Sequence, residues 1–422
     1  MASTQFYSFT LLLILFSSIS NNFLAAKHGS YSVSRHHHHQ HSGSHHGHNQ
    51  APPTNPKLQQ AYIAFQAWKR VIFSDPNNFI SNWVGPHVCN YTGVYCAPAP
   101  YDETLTVVAG VDFNHANLAG FLPNELGLLS DLALIHLNSN RFCGVLPNTL
   151  SNLTLLFELD LSNNRFVGPF PSVILSLPSL HYLDLRFNEF EGPVPPQLFN
   201  QGLDAIIVNN NNFTGSLPTA FKANISPSVI VFANNRFRGC LPPSIANLAD
   251  SLEELLFINT SLSGCLPPEI GHLYKLKVFD VSYNNLVGPV PYSMAGLYHL
   301  QQLNLAHNKL TGGVPDGICA LPNLENFTIS FNFFCEEGWV CQNLSSKGIV
   351  FDDSWNCLPE KKRQRSENKC QAVYKHPVEC SLVQCGGGGG GSGGGGAPFA
   401  FPPVMVPAAA PLFSIAPSPS NV

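Results

Sequence analysis

The chain repeats itself at a short, regular interval. Glycine recurs as Gly120, Gly144, Gly168, Gly192, Gly215, Gly239, Gly264, Gly288 and Gly312, every 23 to 25 residues, and a proline follows three residues after each, from Pro123 to Pro315. Such a period does not build a globule around one central core. Each unit is too small to bury its own apolar edge, so the units must stack into a solenoid whose core runs along its length. A tenth unit, LENFTISFNFF, keeps the front half of the pattern but has Glu336 where glycine belongs, and reads as the end of the array.

Within the unit LDLSNNRFVGPFP, Leu159, Leu161 and Phe166 alternate inward, as half-buried strand residues do. Asn140, Asn164, Asn188, Asn211, Asn235, Asn284, Asn308 and Asn332 share one slot and are expected to satisfy buried backbone groups as a ladder. Ala116 and Thr260 interrupt it, at the first unit and at one irregular unit. Proline cannot donate to a strand ladder and belongs on the outer side. The pattern LxxLxLxxNxLxGxxP is that of a plant-type leucine-rich repeat. The expected fold class is therefore α/β, a solenoid of about ten plant-type repeats.

The flanks divide by composition. Residues 1–26 contain the apolar run from Phe9 and end in Ala25 and Ala26, which reads as a secretory signal. No later stretch of about 18 apolar residues follows, so no membrane span is expected and a receptor ectodomain is excluded as a complete reading. Residues 27–56 hold nine histidines between His28 and His48 with almost no apolar side chains, and read as a disordered, solvated spacer. Residues 57–104 form the N-terminal cap, 105–335 the repeats, 336–385 the C-terminal cap and hinge, and 386–422 a disordered Gly/Pro-rich tail. In the cap, Leu58, Ala61, Tyr62, Phe65, Trp68, Ile72 and Phe73 fall near helical spacing. Twelve cysteines and seven N-glycosylation sequons, at Asn90, Asn152, Asn212, Asn224, Asn259, Asn326 and Asn343, agree with an oxidising secretory route. Only 11% of residues are charged, with a net charge of -5, which excludes the basic surface of a nucleic-acid binder.

Strand alternation places Glu158, Asp160, Tyr182, Asp184, Arg186 and Phe187 on the concave face, with Asp112 and His115 ahead of them and Asp280 and Tyr283 farther along. Carboxylates beside aromatics suit a basic, partly apolar peptide, because charge steers and aromatic area anchors. Ile207, Val231, Leu256 and Ile258 fall at exposed slots between them, an apolar stripe that points to a partner. No HExxH, GxSxG, Walker loop or zinc spacing is present, so neither enzyme, metal site nor cofactor is expected.

Cys89 and Cys96 are close enough to pair across a short loop. Cys240 and Cys265 occupy one slot in adjoining coils, about 5 Å apart by strand spacing, which predicts a rung disulfide. Cys319, Cys335, Cys341 and Cys357 crowd the last coil, Cys370, Cys380 and Cys385 follow a basic run, and Cys143 is the first candidate for a free thiol.

The stretches VCNYTGVYCAP, VAGVDFNHANLAGFLPNELGLL, NSNRFCG, LDLRFNEFEG and NFTISFNFF resemble the leucine-rich repeat extensins of plant cell walls, a likeness running from Pro56 to Cys385. The resemblance implies an extracellular, wall-associated protein whose repeats and hinge (Cys341, Cys357, Cys370, Cys380 and Cys385 here) bind basic peptides of the rapid alkalinization factor type. It further implies roles in wall formation, integrity and growth, association with wall polysaccharide, and a tendency to dimerise. The chain departs from the family in its tail, where GGGGGGSGGGG and seven prolines stand in place of Ser-Pro-Pro-Pro blocks. The alternative is a polygalacturonase-inhibitor-like defence protein, which shares about ten repeats but has no such hinge.

Overall fold

The computed structural model describes residues 55–218, 221–222 and 225–380. The expected signal, most of the His-rich stretch, Asn224, Cys385 and the tail lie outside the described residues. Helix α1 (Pro56–Val71) starts where it does because the Asn55 side chain accepts from the backbone N–H groups of Lys57 and Leu58, donors that a helix start leaves unpaired. Its apolar side carries Phe65 and Trp68 onto Trp83 and Phe113, with the Trp68 and Phe113 rings 4.9 Å apart. The expected Cys89–Cys96 bond closes the loop beside them.

An antiparallel hairpin of β1 (Val94–Ala99) and β2 (Asp102–Asp112) leads into the array. From there one short strand per coil adds in parallel: β3 (Leu134–His136), β4 (Glu158–Asp160), β5 (Tyr182–Asp184), β6 (Ala205–Ile207), β7 (Val229–Val231) and β8 (Glu254–Leu256). The same sheet continues through β9 (Val278–Asp280), β10 (Gln302–Asn304), β11 (Asn326–Thr328) and β12 (Val350–Asp352). On the opposite side most coils turn through a short 3-10 helix that starts directly after the recurrent proline, as at Pro123, Pro147 and Pro171. The recurrent glycines take φ between 73° and 95° from Gly144 to Gly312, a region in which a side chain is strained. That backbone turn accounts for the glycine period.

The asparagine ladder does what its spacing implied. Asn164 Oδ1 accepts from Phe142 N of the preceding coil at 2.9 Å, while its Nδ2 donates to Leu137 O and Leu161 O. Each asparagine thus stitches two coils through backbone groups that no strand satisfies. Two residues on, Phe166, Phe190 and Phe213 stack through the core at 6.2 and 6.0 Å.

In architecture the structure departs from the sequence reading at the end of the array and in one disulfide. The array does not end with the tenth coil: β12 pairs in register with β11, and Asn356 accepts from Phe334 N and donates to Ile329 O. Residues assigned to the hinge therefore form an eleventh coil, hidden because strand, asparagine and Leu358 persist there while Asp353 stands in an inward slot and Glu360 where glycine belongs. The rung disulfide is also absent: Cys265 bonds Cys380, 115 residues on, and Cys240 is bonded to a partner other than Cys265. Side chains in one slot of adjacent parallel strands project the same way rather than at each other, so a suitable Cα spacing does not suffice. The returning segment supplies the partner instead, and Gly288 makes room for it, since a Cβ there would meet Cys380 Sγ. Cys319–Cys341 and Cys357–Cys370 close the C-terminal cap, and Lys361 joins Glu337 and Asp353 at 2.9 and 2.6 Å. Cys143 and Cys335 are free. Among the described residues no helix is long and apolar enough to cross a membrane.

Candidate functional site

Sheet register fixes which side chains meet on the inner face. Glu158 lies beside Tyr182, and Asp112, His136, Asp160, Asp184 and Ile207 form one row across five coils. Glu158 Oε2 is 3.1 Å from His136 Nε2. Burial alone would lower the His136 pKa, but the hydrogen bond to Glu158 and the charges of Asp160, Glu158 and Asp112 outweigh it and hold it above the ordinary value. The expected acidic cluster is thus assembled by the fold.

Its aspartates have a second task. Oδ1 of Asp112, Asp160, Asp184, Asp280 and Asp352 accepts from the backbone N–H two residues on, at 2.9–3.1 Å, an Asx turn that ends the strand. Their recurrence therefore reflects chain geometry as well as charge. Asp184 is buried and has Arg186 Nε 3.1 Å from its Oδ2. Burial pushes its carboxyl up to about 8, only partly offset by Arg186 and reinforced by Asp160. Asp112 and Asp160 in the row, and Glu158 beside it, are half-buried.

Tyr182 is half-buried and Phe187 sits at φ 53° just past its strand. Ile207, Val231, Leu256 and Ile258 do not form the exposed stripe expected of them: they are 1%, 0%, 3% and 7% exposed. Their register is as expected, but contiguous apolar surface is favoured out of water. Of the sequons, Asn90, Asn152 and Asn259 are exposed, while Asn212, Asn326 and Asn343 are partly covered.

Sequence reasoning singled out Tyr283 but missed what it belongs to. The residue before each ladder asparagine adopts a left-handed backbone, φ 52–60° from Ser139 to Trp355. Asparagine fills that slot at Asn163, Asn210, Asn234 and Asn259, where it is well tolerated. In the last four coils the slot holds Tyr283, His307, Phe331 and Trp355, stacked face to face at 4.0, 4.1 and 5.5 Å with interplanar angles of 12° or less. A sequence signal existed: an aromatic ring precedes the asparagine at a constant spacing of 24 residues.

The stack makes His307 pH-sensitive. Burial, then the charge of Arg365, hold its pKa below the ordinary 6.5, with Asp352 opposing. The unfolded chain then binds the extra proton in the window below 6.5, so this contribution to stability is lost as pH falls through it. Melting curves from pH 7.5 down to 5 are expected to show a smaller loss for His307→Asn than for the wild type. An identical or steeper loss in the variant contradicts this account.

With the fold and face described, likeness to known proteins can be stated. A family described as Leucine rich repeat matches residues 274–334, and one described as Leucine Rich Repeat matches 155–177 and 179–201. Leucine-rich repeat extensin-like protein 6 of Arabidopsis thaliana is 56% identical over 334 residues, covering 79% of this chain and 70% of that protein. Leucine-rich repeat extensin-like protein 2 of the same plant is 54% identical over 331 residues, but the chain spans only 42% of its length. Among solved structures, the Arabidopsis receptor kinase HAESA ectodomain bound to an IDA peptide hormone superposes with TM-score 0.61 at 27% identity, over 72% of this chain and 50% of that one. The peptide hormone receptor RGFR1 in complex with RGF2 gives TM-score 0.56 at 25% identity, over 60% and 40%.

Proposed function

Because this chain belongs to the leucine-rich repeat extensin-like family, we propose that it is an extracellular, wall-associated protein that captures a basic secreted peptide of the rapid alkalinization factor type in the control of wall formation, integrity and growth. The observation that carries this reading is the convergence of Glu158 and Asp160 beside Tyr182 on the inner face. Carboxylates at Glu158 and Asp160 on a parallel sheet offer long-range steering to a cationic ligand, and the neighbouring Tyr182 ring adds contact area. The fold it shares with ectodomains solved with bound peptide hormones supports the same reading. The Cys265–Cys380 disulfide ties the C-terminal segment back to coil seven, which supports a hinge that contributes to capture from beside the array.

The test is a titration of the secreted protein against a panel of basic cysteine-containing peptides, run beside a polygalacturonase inhibition assay. Saturable binding of a basic peptide that weakens with salt is expected. Inhibition of the polygalacturonase without peptide binding would replace this reading with that of a defence inhibitor.

A further inference from the structure

The four-ring stack is unusual where it stands. Bulky side chains at positive φ are uncommon, yet here they follow one another in the last four coils, where asparagine serves the same slot at Asn163, Asn210, Asn234 and Asn259. Tyr283 and Trp355 remain 44% and 46% exposed, so the stack is not core.

Its chemistry follows from orientation. The faces of His307 and Phe331 are occupied by neighbouring rings, which removes them from cation–π contact. What remains is a ridge of ring edges, the positive end of the aromatic quadrupole. Cations line it. Arg365 donates from Nε to Asn332 O at 2.6 Å and lies 4.3 Å over the Phe333 ring, and the Arg363 carbonyl accepts from Trp355 N at 2.7 Å. Residues 359–376 hold six Lys and Arg against two carboxylates in a chain of net charge -5. Lys361 is taken by Glu337 and Asp353, whereas Lys362, Arg363 and Lys369 are exposed. This end of the solenoid has the opposite polarity to the acidic coils.

We propose that the aromatic ladder and the basic segment beside it form a binding site for an acidic glycan, a polymer of uronic acid units. A row of rings at one pitch matches a ligand whose sugar and carboxylate recur identically, and an extended peptide, with side chains alternating to two sides, matches it less well. Trp355, which ends the stack and is 46% exposed, offers a stacking surface for one sugar ring, while the exposed Lys362 and Arg363 meet the carboxylates. The acidic residues proposed to steer the peptide, Glu158 and Asp160, lie away from it in coil three.

The experiment titrates the full chain with polygalacturonate, with neutral dextran and with poly-glutamate at low and high salt. Polygalacturonate alone is expected to bind, less tightly at high salt. Phe331→Asn with Trp355→Asn, fold-safe because asparagine suits this slot, is expected to weaken that binding about tenfold or more. Lys362→Gln with Arg363→Gln is expected to do the same and to flatten the salt dependence. Glu125→Gln, on an outer 3-10 helix, is expected to leave glycan binding unchanged. The proposal is overturned if polygalacturonate does not bind, if both ladder and basic-segment variants stay within about twofold of wild type, or if poly-glutamate binds equally well, which would make the site one for an acidic peptide.

Discussion

Reversing Glu158 and Asp160 to lysine is expected to weaken binding of the basic peptide about 100-fold or more, with much of the loss in the association rate. Both side chains are half-buried on one face of the sheet, one coil before Asp184 in register. Each reversal turns an attraction into a repulsion at the point where steering acts, and the two changes reinforce one another. Asp184 is left alone deliberately. Its carboxyl is buried against Arg186 and ends the β5 strand through Arg186 N, so a lysine there would report on folding. Glu125→Lys, on an outer 3-10 helix, alters net charge by the same sign and is expected to leave affinity within about twofold. Stopped-flow association at two salt concentrations decides the matter: a double variant that associates as fast as wild type removes the acidic row from the binding surface.

Asn284→Ala is expected to be the most damaging single truncation in the ladder, at about 3–5 kcal/mol. Its neighbour coil has Thr260 in the ladder slot, so Asn284 Oδ1 serves the N–H groups of both Thr260 and Leu262, at 3.1 and 2.9 Å. Its Nδ2 donates to Phe257 O and Val281 O at 2.6 and 2.9 Å. Alanine would strand these groups in a dry interior, where each unpaired one costs about 1–3 kcal/mol. Because coils depend chiefly on their neighbours, the loss should appear as local opening around coils seven and eight, before global unfolding. Hydrogen exchange of those coils, with urea unfolding of the whole chain, measures both. Exposed Lys309→Ala provides the comparison at about 0.5 kcal/mol or less. A loss for Asn284→Ala no larger than that would mean the ladder is not what holds adjoining coils.

The elements that were legible beforehand are those written into every coil. Gly168, Pro171, Asn164, Leu159 and Phe166 each answer a local demand: a positive φ, a turn, unpaired backbone groups, an inward strand position. Repetition multiplied that local signal until fold class and register were fixed. The eleventh coil escaped because it keeps the strand, Asn356 and Leu358 but has Asp353 in an inward slot and Glu360 in place of the glycine.

The candidate site divided along the same line. Which residues face inward followed from strand alternation, so Glu158, Asp160, Tyr182 and Asp184 were placed on one face from sequence alone. The burial of Asp184 and Ile207 did not follow, because solvent access depends on everything else near a slot and not on the slot itself.

By itself, then, the sequence determined a solenoid of stacked parallel coils, its glycine and proline turns, its asparagine ladder and the acidic residues on its inner face. Only the tertiary structure decided that Cys265 meets Cys380 rather than Cys240, and that Tyr283, His307, Phe331 and Trp355 become one stack beside Arg365. The reason is one of range. A 24-residue period states what each coil does alone, whereas a disulfide across 115 residues and a ladder of rings exist only once distant coils and the returning C-terminal segment share the same space.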